Sequence, residues 1–106
     1  MDEKAALLLV ADGQAPVEAR AATARELRMA TSDAALAGLI AVASDQSTPE
    51  PVARAAGAAV GEIVVRTGRR LHDYDLYLSN FTEAAFLAFD EAVGTLHELG
   101  YPLRFA

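Results

Sequence analysis

The chain has 106 residues, 53% of them hydrophobic and 24 of them alanine, with a formal net charge of -6 and no cysteine or tryptophan. That is the length of one domain with enough apolar material for a core, and it excludes a disulfide framework. The acidic balance disfavours contact with nucleic acid or anionic lipid and favours basic partners.

Five helices are predicted in a single domain spanning 1–106. The first covers Asp2 to Asp12, with acids in its first turn and Gly13 placed for a left-handed C-terminal cap. Its Leu7, Leu8, Leu9 and Val10 leave little polar face, so it is either covered by the next helix pair or lies at a dimer contact. The run to Ala11 is too short for a signal-peptide core, and no segment approaches a membrane span. With no cysteine, a cytoplasmic protein is expected.

The second helix opens at Pro16 and continues to about Ala30, with Val17, Ala21, Ala24 and Leu27 on one side and Arg20, Arg25 and Arg28 elsewhere on the cylinder. The third follows Thr31 or Ser32 as cap and presents Leu36, Leu39, Ile40 and Ala43. The fourth begins at Pro49 or Pro51 and runs to about Thr67, with Val52, Ala55, Ala56, Ala59, Val60, Ile63 and Val64 at helical spacing. Ala53, Gly57 and Gly61 form a stripe of small residues at spacing four, which predicts close backbone approach of a neighbour. Arg66, Arg69 and Arg70 cluster where cations suit a helix C-terminus. The fifth helix takes Thr82 as N-cap and ends near Leu99, closed by Gly100 and followed by Pro102. Phe86, Phe89, Val93 and Leu96 are its predicted buried stripe, with the two phenylalanines as the largest anchors.

Segment 68–81 fits no repeat. Leu71, Tyr74 and Leu78 share one face of a short helix, which would turn His72, Asp73, Asp75 and Tyr77 outward. Tyrosine flanked by carboxylates suits an interface, since the ring supplies contact area and the acids attract cations. Catalytic chemistry has little support. His72 beside Asp73 and Asp75 lacks a second ligand cluster, His97 sits at the margin of an apolar stripe, and no nucleophile elbow, phosphate loop or zinc motif is present. Neither enzyme activity, nor a metal, nor a cofactor is expected.

The chain also repeats itself. Ala19-Arg20-Ala21-Ala22 recurs 34 residues later as Ala53-Arg54-Ala55-Ala56, each following Pro-Val, and this is the length of a two-helix repeat. Pro49-Glu-Pro-Val-Ala-Arg-Ala-Ala-Gly-Ala-Ala-Val-Gly-Glu-Ile63 resembles the first helix of a HEAT repeat, and Pro16 to Leu27 is a looser version. The resemblance spans Pro16 to Leu99 and implies an all-α fold: a short α-solenoid of antiparallel helix pairs, with an irregular or short-helical insert at 68–81. A narrower likeness is to small, acidic, HEAT-like immunity proteins of polymorphic or contact-dependent growth-inhibition toxin systems. It implies a bacterial toxin inhibitor that covers a basic, nuclease-type toxin domain, with Asp73, Tyr74, Asp75 and Tyr77 as central contacts and Asp90, Glu91 and Glu98 as an acidic rim. The alternative is an adaptor or regulatory subunit, homodimeric through the Leu7 to Val10 helix. A nucleic-acid binder would need the scattered arginines on one face, and the overall acidity argues against it.

Overall fold

A computed structural model describes all residues, 1–106. The chain is all-helical: α1 (Glu3–Ala11), α2 (Val17–Glu26) with a 3-10 turn (Leu27–Met29), α3 (Asp33–Ser44), α4 (Glu50–Arg66), a 3-10 turn (Leu71–Tyr74) running into the one-turn α5 (Asp75–Leu78), and α6 (Glu83–Glu98). No helix is long and apolar enough to cross a membrane. The five expected helices are present, and the insert adds the sixth.

Local chemistry explains most of the boundaries. Asp2, Ser32 and Thr82 each accept from the backbone N-H three residues on, at 2.8, 3.0 and 3.1 Å, and so start α1, α3 and α6. Pro16 and Pro49 stand at the N-caps of α2 and α4, and Pro51 lies within the first turn of α4, where no donor is missed. Both long helices end in the same device. Gly68 (φ 71°) and Gly100 (φ 102°) turn left-handed, and Arg69 N-H reaches Val64 O while Tyr101 N-H reaches Leu96 O, each at 3.0 Å. Gly13 is not a left-handed cap: α1 stops at Asp12 with extended backbone, and its Val10 carbonyl is taken by Arg20 instead.

The helices form two layers. Arg66 at the end of α4 donates to the carbonyls of Arg28 and Ala30, so α2 and α4 end together. Gly57 faces Ala85 and Gly61 faces Phe89, so α4 and α6 also run in the same sense. The expectation that these two form an antiparallel pair is therefore corrected: segment 68–81 is the return path that two parallel neighbours require. In the second layer Ser32 meets Glu3 at 2.8 Å and Gly38 abuts Leu7, which sets α1 beside α3 in the same direction. Thr82 N-H donates to Ala43 O at 2.9 Å, joining the start of α6 to the end of α3.

α4 is the centre of the core, packed by α2, α3 and α6, and buries Val52, Ala56, Val60, Ile63 and Val64 completely or nearly so. The small-residue stripe is at the α4–α6 contact, as its spacing predicts. Two side chains depart from expectation, Arg20 and Phe86. Arg20 is buried, 6% exposed, with its Nε donating to Val10 O at 2.9 Å. Arg66 lies in the last turn of α4 and Arg69 binds the hydroxyl of its C-cap Thr67 at 2.7 Å, while both guanidinium groups also reach across to Ala30, Thr31 and the first residue of α3, Asp33. Phe86 is 43% exposed, whereas Phe89 is 5% exposed and meets Phe81 edge to face at 6.2 Å. α1 is covered on one side only, with Ala6 and Val10 buried and Leu7 against the core, while Ala5, Leu8 and Ala11 stay exposed.

Candidate functional site

The insert is a pinned structure, not a slack loop. Leu71 is buried, and Tyr74 and Leu78 pack against the core, in the arrangement their spacing predicts. His72, Asp73, Asp75 and Tyr77 are exposed. The C-terminal residues supply the second anchor. Leu71 N-H donates to Arg104 O at 2.6 Å, His72 N-H to Phe105 O at 3.1 Å, and Arg104 Nη1 to Gly68 O at 3.0 Å. The His72 and Phe105 rings lie 5.8 Å apart, and Leu103 packs on the core. Nothing in the sequence signalled this clasp, because it pairs backbone groups more than 30 residues apart.

The charges of the insert are held in place by their neighbours. Arg70 Nε meets Asp73 Oδ2 at 3.0 Å, and His72 Nδ1 meets Asp75 Oδ2 at 3.1 Å. Between the insert and α3 runs a groove of about 520 Å³, lined by Asp33, Leu36, Ala37, Ile40, Ala41, Asp73, Tyr74 and Tyr77. Its floor is apolar, two tyrosines tilted 47° to one another line it with centroids 6.1 Å apart, and its only charged lining groups are carboxylates. Asp33 carries no signal in the sequence beyond its place after a cap; tertiary packing alone brings it opposite the insert.

A larger groove of about 680 Å³ lies along α2, α4 and α6 and shares no residue with the first. Ala55, Ala58, Ala88, Ala92 and Leu96 line it among Arg25, Arg54, Glu50, Glu62 and Glu91. Of the seven residues singled out by sequence, Asp73, Tyr74 and Tyr77 therefore come together in the insert groove and Asp75 sits exposed beside them. Glu91 belongs to the other groove, and Asp90 and Glu98 are exposed on α6 in neither. No group of three or more His, Asp or Glu side chains converges to hold a metal ion.

Burial pushes the Tyr74 phenol above its ordinary value of 10.0, with Asp33, Asp73 and Tyr77 adding to the rise and the Arg69 guanidinium opposing it. A phenol that ionises later when folded contributes stability that is complete below pH 10 and is lost as pH climbs through its folded value. An ultraviolet absorbance titration should thus show a phenol ionising above pH 10 that Tyr74→Phe lacks, and the stability of Tyr74→Phe should fall less steeply than the parent's above pH 10. A titration whose high-pH limb is unchanged in Tyr74→Phe would contradict the burial of this ring. The carboxyl of Asp45, in the α3–α4 connection, is lowered chiefly by the Ser47 hydroxyl and N-H that donate to it at 2.7 and 2.9 Å.

Comparison with protein-family models, curated proteins and solved structures found no match to this chain.

Proposed function

We propose that this protein is a non-enzymatic binding module, a short HEAT-like solenoid that captures a basic protein partner on its insert face. The finer reading is an immunity protein that neutralises a basic, nuclease-type toxin domain by stoichiometric cover in the bacterial cytoplasm. The observation that carries the proposal is the α3–insert groove, where an apolar floor, two tyrosines and two carboxylates converge on one concave surface. Tyrosine in such a setting gives contact area at low entropic cost, and the carboxylates select a cationic surface. The net charge of -6 adds long-range attraction, which speeds encounter with a basic domain and weakens as salt rises.

The solenoid reading is supported by α2, α4 and α6 running parallel in one layer, with α1 and α3 in the other. In that scheme the insert stands where the partner helix of the α4 repeat belongs, shortened to two turns and free to carry side chains outward.

The test is capture by the tagged protein from its native cells, washed at low and then high salt, with the Asp73→Lys, Asp75→Lys double variant in parallel. A basic chain bound one to one, weakened by salt, and bound more than about tenfold less tightly by the variant is expected, since reversing charges at the centre of an interface costs on the order of 2 kcal/mol or more. A partner held equally by the variant would remove the insert from the interface. Recovery of further copies of this chain alone, insensitive to salt, would favour the homodimeric adaptor.

A further inference from the structure

We propose that the α3–insert groove is an arginine site: it receives one arginine side chain from the bound partner, with the guanidinium held between Asp33 and Asp73 and against the Tyr77 ring. The assignment rests on the binding reading above and names the group that the groove selects.

Charge complementarity points to a cation. The lining of the groove holds two carboxylates and no cationic group, in contrast to the α2–α4–α6 groove, where Arg25 and Arg54 stand among three glutamates and Arg54 already pairs with Glu50 at 3.6 Å. The two carboxylates come from separate elements, the first turn of α3 and the insert, and both line the groove with Tyr74. Each is already oriented. Arg69 Nη2 binds Oδ1 of Asp33 and Arg70 Nε binds Oδ2 of Asp73, both at 3.0 Å, which leaves Oδ2 of Asp33 and Oδ1 of Asp73 as acceptors for an incoming group. The Asp33 side chain is 96% exposed, so nothing in the protein covers it. Carboxylates fixed before binding lose little freedom when the ligand arrives.

The choice of arginine over lysine follows from shape and hydration. A guanidinium is planar, stacks on an aromatic ring, and offers five donors in a fork able to reach two carboxylates at once. It is also less strongly hydrated than an ammonium, which matters above a floor of Leu36, Ala37, Ile40 and Ala41. Tyr77 is half-exposed and inclined to Tyr74 rather than stacked on it, so part of its ring surface is accessible to a cation.

The experiment is a nuclear magnetic resonance titration of the full chain with three capped tripeptides, Ala-Arg-Ala, Ala-Lys-Ala and Ala-citrulline-Ala, the last matching arginine in shape without its charge. The arginine peptide is expected to give saturable shifts confined to the Ala37 and Ala41 methyls and the Tyr74 and Tyr77 rings. The lysine peptide should bind at least about threefold more weakly, and the citrulline peptide should give none of these shifts. Asp33→Asn and Tyr77→Ala, both exposed changes, should each weaken the arginine peptide by about threefold, the size of an exposed cation–π contact. Glu18→Gln, the same charge change on α2, should leave it unaltered. Equal shifts from citrulline, shifts spread over the acids of α6, or indifference to Asp33→Asn would overturn the site. If the groove ignores the peptide while the Asp73→Lys, Asp75→Lys variant still loses its partner, the arginine site falls and the binding reading stands. If the peptide binds as described while the charge-reversed protein keeps its partner, the binding reading falls and the arginine site stands.

Discussion

Replacing Phe89 with alanine is expected to remove roughly 3 to 5 kcal/mol of stability, the usual cost of deleting a buried aromatic ring. Phe89 is 5% exposed, its ring stands edge to face with Phe81, and its Cδ2 lies 3.3 Å from where a side chain on Gly61 would begin. The void left behind would be bordered by α4 backbone and by the Phe81 side chain, neither of which can collapse far into it. For a domain of this size the melting temperature should fall by on the order of 15 °C or more. Phe86→Ala, by contrast, should cost about 1 kcal/mol or less, as exposed substitutions do. The two variants compared by thermal melting decide which phenylalanine anchors α6. A loss of equal size at Phe86 would mean that α6 is rotated from the orientation described.

That pair also shows where sequence legibility stops. Spacing places Phe86, Phe89, Val93 and Leu96 on one stripe, and the size of the rings favours the middle of that stripe as the buried centre. In the protein the centre is set by Ala85, because α6 turns this small residue to the point of closest approach against Gly57. Periodicity finds the face to within a residue or so, and backbone contact with a neighbour fixes the rest. Arg20 and Arg54 make the same point. They occupy equivalent places in the sequence repeat, yet Arg20 is the fourth residue of α2 and Arg54 the fifth of α4. One residue turns a side chain by about 100° around the helix. Arg20 enters the core and takes the Val10 carbonyl, while Arg54 stays on the surface.

The caps at Ser32, Thr82 and Gly100 are legible, since each acts on groups within a few residues of itself, whereas Asp2 reads as helical and Gly13 as a cap it does not form. The candidate site was legible only on the insert side. Leu71, Tyr74 and Leu78 pack inward and Asp73, Asp75 and Tyr77 turn outward as one helical turn dictates. Asp33 and the clasp formed by Arg104 and Phe105 depend on chain segments brought together by the return of the chain from α4 to α6, and no local pattern encodes that path. The length of the insert has a topological cause as well: the chain must travel back along α4 before a parallel α6 can start. A long connection here is required by the fold whether or not it binds anything, so the case for function rests on the residues it carries.

Gly57→Ala should be the most damaging single methyl addition in the chain, at roughly 2 to 4 kcal/mol, the upper part of the range for overpacking a core. A Cβ built there falls 2.1 Å from the Ala85 carbonyl oxygen and 2.7 Å from its carbonyl carbon. Those are backbone atoms, so no rotamer change relieves the clash and α6 must move as a body. The gain in helix propensity on replacing glycine, about 1 kcal/mol, is too small to offset it. Gly61→Ala meets the Phe89 carbonyl at 3.0 Å and the Ala92 Cβ at 3.3 Å, and should cost less. Gly94→Ala meets nothing within 4 Å and should stabilise by about 0.5 to 1 kcal/mol. The expected order of urea midpoints is therefore Gly57→Ala, Gly61→Ala, parent, Gly94→Ala, with similar slopes throughout. The order matters beyond stability, because Gly57 against Ala85 and Gly61 against Phe89 are the contacts that make α6 parallel to α4. A neutral Gly57→Ala would break that register, and with it the path that carries the insert back beside α3 to form the groove.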